Sequence, residues 1–271
     1  SVTTPPNARR EIVERLAAAG KPILMEKPFE RTLEAATAIV DVCDSLDVPV
    51  GIVVQHRARP GVAAVRERLN DLGALIAVDR SVPWWRPQPY YDEPGRGTYE
   101  RDGGGVLISQ AIHTLDLMLS LTGPVTEVTA MCATTAFHSM EAEDFVTAGL
   151  GFANGAVGHV FATTASFPGT GETIRLHCQH GSAYLAAGVL RIDYQDGRTE
   201  EIGTATSSGA GADPMAFTSD WHQAVIEDFA DAIATNRPPM VPGREALMVH
   251  GLITAIEEAG RSGKRVSVRG M

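Results

Sequence analysis

The chain has 271 residues, enough at about 150 residues per domain for two domains or one large one. Apolar residues are 44% and charged residues 21%, and 27 Gly with 16 Pro are too few for a fibrous or low-complexity protein. A net charge of −10 with no basic stripe argues against nucleic acid, no apolar run approaches the ~18 residues of a membrane span, and three scattered cysteines (Cys43, Cys132, Cys178) fit a reducing cytoplasm better than a disulfide framework.

The spacing predicts an amphipathic helix over 11–19, with Ile12, Leu16 and Ala19 on one side and Gly20 as its stop. Residues 22–25 read as a short buried strand ended by Glu26-Lys27-Pro28. Thr32 caps a second helix without a full capping box, and Leu33, Ala36, Ile39, Val40 and Cys43 form its apolar stripe. The run 49–54 is apolar without alternation, as in a parallel strand buried on both faces, so the opening third reads as β-α-β. From about Ala74 the pattern changes: a strand over 76–82, an aromatic loop over 83–101, then Gly103-Gly104-Gly105 leading into a helix over 106–121. Strands then follow without helices between them, with hairpin turns at Asn154-Gly155 and Asp196-Gly197, and read as an open antiparallel sheet. A flexible connector is expected over 207–213, followed by helices over 222–235 and 245–259.

Two segments carry chemistry. Lys27 stands just past the carboxyl end of a parallel strand, the edge where open α/β sheets bind ligands. Pro28 fixes the backbone behind it, and a cis Lys27–Pro28 bond would aim the side chain into the cleft. The competing reading is a surface lysine beside a strand-ending proline. In the second segment, Ser109 and His113 are four apart and on a regular helix share one face. The triple glycine lets a ligand or another backbone approach closely, and a histidine near neutral pKa is a ready general base. The competing reading is a core histidine bonded to Asp116 or to a main-chain carbonyl. Trp84, Trp85, Tyr90 and Tyr91 either stack on a sugar ring or bury against the sheet, with Arg86 and Tyr91 favoured as substrate contacts for their polar tips. His222 reads as a surface histidine at a helix end. No set of residues has metal-ligand spacing, so no metal is predicted.

These segments resemble the Gfo/Idh/MocA family (glucose–fructose oxidoreductase and inositol dehydrogenase relatives). Glu26-Lys27-Pro28, preceded by Thr4-Pro5-Pro6-Asn7, is similar to the later half of that family's Rossmann domain. Gly103 through Asp116 resembles its Gly-Gly-Gly…His-x-x-Asp helix, and Asp228-Phe229…Arg237-Pro238-Pro239…Gly243…Glu245-Ala246 its closing helices. Trp85-Arg86…Tyr90-Tyr91-Asp92…Arg96-Gly97-Thr98 resembles members that oxidise sugars or sugar nucleotides. The resemblance implies an α/β plus α+β architecture: residues 1–56 as the later part of a Rossmann parallel sheet, and 57–271 as a substrate and oligomerisation domain on a large, mostly antiparallel open sheet. The last helices are expected to pack back on the Rossmann part.

It further implies hydride transfer between NAD or NADP and a secondary alcohol of a sugar, sugar nucleotide or cyclitol. Lys27 would touch cofactor ribose and substrate hydroxyl and stabilise a developing alkoxide, with its pKa drawn toward working pH by the cationic ring. His113 would be the general base and Ser109 a substrate contact. Thr4, Pro5 and Asn7 would line the nicotinamide side of the cleft, with Glu26 close by and Pro28 holding the turn. Three positions depart from the family pattern: Ser109 where many members carry an acid, Ala111 where glycine is common, and Arg9 where a histidine is common, which is expected to change the outer edge of the cofactor cleft. No Gly-x-Gly-x-x-Gly opens a helix here, so the phosphate-cradling half is expected to precede residue 1 of a longer two-domain enzyme. Ser109 keeps open an alternative, a non-catalytic, dinucleotide-responsive regulatory relative. The family also implies a homodimer or homotetramer formed through the sheet; the alternation around Ala148, Leu150, Val160 and Ala162 fits burial on such a face, and the scattered cysteines fit a cytoplasmic protein.

Overall fold

The structure is a computed structural model that describes residues 1–205, 210–211 and 218–269. Its first part is built from α1 (Arg10–Ala18), β1 (Ile23–Glu26), α2 (Leu33–Ser45) and β2 (Val50–Val53). β1 and β2 pair in parallel from Ile23↔Val50 to Glu26↔Val53, and Val2 lies parallel to Met25 on the other side. Both strands are buried along most of their length, which is why their sequences lack polar alternation. The Thr32 hydroxyl accepts the Ala35 N–H at 3.2 Å, capping α2, and Ala36, Ile39, Val40 and Cys43 are its buried stripe. α1 is rotated by one position from the expected face: Val13 and Ala17 are buried, while Ile12 is 37% exposed.

A 3₁₀ turn over Gln55–Ala58 leads to α3 (Pro60–Leu72), a helix not among the elements expected from the sequence. β3 (Leu75–Pro83) follows, then α4 (Gln88–Tyr91), a single turn inside the aromatic loop. The helix expected over 106–121 is two structures: a π-helical turn over Leu107–Ala111 and then α5 (Ile112–Thr122). β4 (Val125–Ala133), β5 (Phe145–Phe152), β6 (Val157–Thr163), β7 (Thr173–Cys178), β8 (Gly181–Ala186), β9 (Val189–Tyr194) and β10 (Thr199–Ile202) come next. α6 (Asp220–Thr235), α7 (Gly243–Ser262) and the short β11 (Val266–Ser267) close the described chain. The expected hairpins are present, with Gly155 and Gly197 at φ of +85° and +91° where L side chains rarely go. Of the connector expected over 207–213, only Ala210 and Gly211 are described; the rest lies outside the described residues.

The strands after β2 form one sheet in the order β10-β9-β8-β7-β3-β6-β5-β4-β11 among the described residues. β3 pairs in parallel with β6, and the other pairs are antiparallel. α5 and α7 cover one face. Ala148, Leu150, Val160 and Ala162 point to that face and join the same core as Leu115, Leu252 and Ile256. They therefore belong to the helix–sheet core and not to a subunit interface. The side chains on the opposite face are one residue out of phase: Met131 and Val157 are 56% and 61% exposed, and Phe145 and Phe161 pair at 5.5 Å. The N-terminal half of α7 also packs backward: Ala246 and Leu247 share a core with Ile39 and Val40 of α2.

Candidate active site

Lys27 leaves the end of β1 on a tight turn whose Lys27–Pro28 bond is cis. The turn is held from beneath by Arg9, which is 2% exposed. Its Nε donates to the Thr4 carbonyl at 2.8 Å, and its Nη1 bonds the carbonyls of Glu26 and Pro28. Burial lowers Arg9 to about 10. Arg9 thus does not edge the cleft as expected; it is a buried clamp tying residue 4 to the Lys27 turn. From the other side, His250 of α7 accepts the Phe29 N–H at 3.3 Å through Nε2. The Lys27 ammonium donates to the Ser109 carbonyl at 2.6 Å. Burial pushes Lys27 down to about 8, against the opposing pull of Glu26 and Asp102.

His250 is buried and pushed down to about 4, and burial also holds His56 and His113 well below 6.5. The unfolded chain then binds more protons than the folded one between about pH 4 and 6.5, so stability falls as pH drops through that window. His250 alone accounts for roughly 3 kcal/mol of that loss. His250→Gln, which keeps an acceptor for Phe29 but does not titrate, is expected to flatten the dependence of Tm on pH between 7 and 4.5. Identical slopes for parent and variant would sink this assignment.

The triple glycine admits another backbone. A Cβ on Gly105 would lie 1.8 Å from the Glu143 carbonyl oxygen. The Glu143 carboxylate accepts the Gly105 and Leu107 N–H groups at 3.1 Å, and its carbonyl accepts that of Val106 at 2.8 Å. Glu143 therefore serves as the cap of the following helix. Gly105→Ala is expected to cost at least about 2 kcal/mol by overpacking, read as a lower Tm.

Ser109 lies in the π-helical turn and His113 just after it in α5, so their four-residue spacing is not that of one regular α-helix, yet both face the same cavity. The turn does something else: the Ser109 carbonyl receives Lys27, and the Ala111 carbonyl receives Arg80 Nη2 at 2.8 Å. His113 does not bond Asp116. Asp116 is taken by Arg57 in a bidentate pair of 2.6 and 2.7 Å, with Arg57 also bonded to Glu245. This pair joins the 3₁₀ turn after β2 to α5, and so sets the His56 and His113 rings 5.1 Å apart.

Between β1, β2, the aromatic loop and α6 lies a cavity of about 210 Å³. Of the sequence candidates, Glu26, Lys27, Arg86, Ser109 and His113 line it. Thr4, Pro5, Asn7, Pro28 and Tyr91 do not. Tyr91 turns away and bonds the Thr164 hydroxyl at 2.7 Å, while Tyr90 takes the place on the wall. Pro5 and Asn7 are exposed, and the Thr4 hydroxyl oxygen is buried without a hydrogen-bond partner among the described residues. His222 is not a surface histidine; it lines the cavity together with Trp221 at the start of α6. Gln55 and His56 also line it and were missed. They follow the end of β2 as Lys27 follows the end of β1, so the same sheet-edge rule would have found them.

The wall is cationic at Lys27 and Arg86, carries the Glu26 carboxylate, and otherwise presents polar and aromatic side chains. Gln55 Oε1, His56 Nδ1, Gln110 Oε1 and His113 Nδ1 are buried without partners among the described residues, a set suited to a ligand with several hydroxyl groups. Among the described residues no group of His, Cys, Asp and Glu has the arrangement to hold a metal ion. No helix among them is long and apolar enough to cross a membrane.

The model of an oxidoreductase family with an NAD-binding Rossmann fold matches residues 1–54, and that of the GFO/IDH/MocA C-terminal domain matches residues 62–184. The chain belongs to the Gfo/Idh/MocA oxidoreductase family. Its relatives include D-apiose dehydrogenase of Rhizobium rhizogenes, 26% identical over 100% of this chain and 79% of that protein. They also include the uncharacterised yeast protein YMR315W of Saccharomyces cerevisiae, 27% identical over 71% of this chain; the match spans 54% of the yeast protein. Among solved structures, the WlbA dehydrogenase of Bordetella pertussis in complex with NADH and UDP-GlcNAcA matches at a TM-score of 0.81 and 28% identity, over 98% of this chain and 77% of that one. The family's two-part architecture, a small parallel sheet beside a large, mostly antiparallel one, is the fold described above.

Proposed function

We propose that this chain performs NAD- or NADP-dependent hydride transfer at a secondary alcohol of a sugar, sugar nucleotide or cyclitol. The observation that carries the reading is the meeting of the Lys27 ammonium and the His113 imidazole in one hydroxyl-complementary cavity at the carboxyl end of the parallel strands. The buried, unpartnered Thr4 hydroxyl and the Lys27 turn above Arg9 fit a nicotinamide nucleotide. Thr4, Pro5, Asn7, Glu26, Lys27 and Pro28 would hold it, and when bound it supplies the hydride acceptor. His113, kept neutral by burial and by Lys27, takes the hydroxyl proton. Lys27 stabilises the negative charge that grows on the same oxygen, and Ser109 and Arg86 hold the substrate's other polar groups.

The reading divides the chain near residue 56, with the substrate domain after it. It also places a homodimer or homotetramer interface on the exposed sheet face around Met131, Val157 and Phe161, in a cytoplasmic protein with three free cysteines.

The test is to incubate the protein, in its full-length form, with NAD or NADP and D-apiose, levoglucosan, myo-inositol or a UDP-sugar acid. Formation of reduced nicotinamide with at least one of them is expected. Dinucleotide binding with no reduction across the panel would instead support the regulatory reading, which Ser109 leaves open.

A further inference from the structure

His56 is 4% exposed, lines the cavity, and sits beside His113 with 34° between the rings. The two imidazoles differ in what surrounds them. His113 has Lys27 as a charged neighbour in the cavity. His56 has Arg59 behind it, with Arg59 Nη2 2.7 Å from His56 Nε2. A guanidinium has N–H groups and no acceptor, so His56 Nε2 must be the acceptor in this contact. The proton of the neutral ring therefore sits on Nδ1.

Arg59 is itself fixed. It bonds the Glu172 carboxylate and lies 4.6 Å over the Trp221 ring. The other Glu172 oxygen accepts the Trp84 indole N–H at 3.1 Å. Protonating His56 on Nε2 would face one N–H against another, so this network keeps the ring in a single neutral tautomer. Its remaining polar group, the Nδ1–H, is buried and has no partner among the described residues. A buried donor left unmet is costly, and a ligand oxygen in the cavity would meet it.

We propose that His56 is a specificity-determining substrate contact: its Nδ1–H donates a hydrogen bond to an oxygen of the substrate next to the oxygen served by His113. The proposal rests on the dehydrogenase reading above and deepens it. The neighbouring imidazoles divide the work: His113 accepts a proton, while His56 only donates a hydrogen bond. The substrate class this selects is a vicinal diol, one hydroxyl reacting and its neighbour held by His56.

Three variants separate donor, ring and Arg59 partner. His56→Phe keeps an aromatic ring and removes both the donor and the acceptor for Arg59. His56→Gln keeps an acceptor for Arg59 and removes the Nδ1 donor. His56→Asn places an amide N–H near the Nδ1 position. Using the panel sugar or cyclitol that the parent protein turns over best, His56→Phe and His56→Gln are expected to raise KM about tenfold, with kcat within about threefold of the parent. His56→Asn is expected to recover KM to within about threefold. The penalty in His56→Gln should vanish on one single-deoxy analogue of that substrate and persist on the others. If His56→Phe does not fold, His56→Gln and the deoxy series carry the test. An unchanged KM in His56→Gln, an equal rise in His56→Asn, or a penalty that persists on every deoxy analogue would overturn the proposal. Failure of the parent protein to reduce the nicotinamide or bind any panel polyol overturns the dehydrogenase reading itself, and is seen before any variant is made.

Discussion

Lys27→Ala is expected to lower kcat by about 10²–10³-fold, the usual effect of removing one preorganised group that stabilises a developing oxyanion. The pH profile gives a sharper sign. Burial places the Lys27 pKa at about 8, so its charge, and with it the stabilisation, is present below that pH and is lost as pH rises through it. The rate should therefore fall on the alkaline side, and a bound nicotinamide cation should move the fall to lower pH. Lys27→Arg, always charged, should retain some activity and lose that alkaline fall. Stability should move little in Lys27→Met. Deleting a buried cation is favourable below about pH 8, but the Ser109 carbonyl loses its donor. A change in Tm within about 4 °C alongside the large loss of rate would mark a catalytic role. Retained kcat, or an alkaline fall that survives in Lys27→Arg, would rule the assignment out.

Asp116→Ala is expected to be the most destabilising of the substitutions considered. Arg57 and Asp116 have side chains 2% exposed, and removing the carboxylate leaves a buried guanidinium without its main partner. Such losses cost about 3–5 kcal/mol, or a fall in Tm of about 10 °C in a chain of this size. Activity should fall as well, because the pair connects the turn carrying His56 to the helix carrying His113. Glu245→Gln, which alters only the partly exposed second carboxylate partner of Arg57, should cost far less. Comparable Tm values for Asp116→Ala and the parent protein would show that the pair is not what holds these elements.

The difference between Tyr90 and Tyr91 shows where reading the sequence stops. Both are tyrosines in one aromatic loop, and the sequence favours Tyr91 as the substrate contact. The one-turn α4 separates neighbouring side chains around its axis, so only Tyr90 faces the cavity while Tyr91 meets Thr164. Arg9 and His222 are similar cases. Nothing in the sequence marks Arg9 as a buried clamp, because its partners are main-chain carbonyls, that of Thr4 and those of Glu26 and Pro28 at the end of β1. His222 reaches the cavity because α6 packs against the turn after β2, a contact between segments more than 160 residues apart.

Length, acidic charge and scattered cysteines already described a globular chain of two domains or one large one, without a nucleic-acid footprint. The unbroken apolar runs determined the parallel strands, the Asn-Gly and Asp-Gly pairs the hairpins, and the two motifs the positions of Lys27 and His113. Those features are local: a strand buried on both faces, a turn needing positive φ, and a lysine at a strand end each follow from a few adjacent residues. Tertiary structure alone decided which sheet face lies under α5 and α7, which glycine admits Glu143, and which unpartnered donors and acceptors converge on one cavity. Those depend on packing between distant segments, where a rotation of one residue exchanges an inward side chain for an outward one.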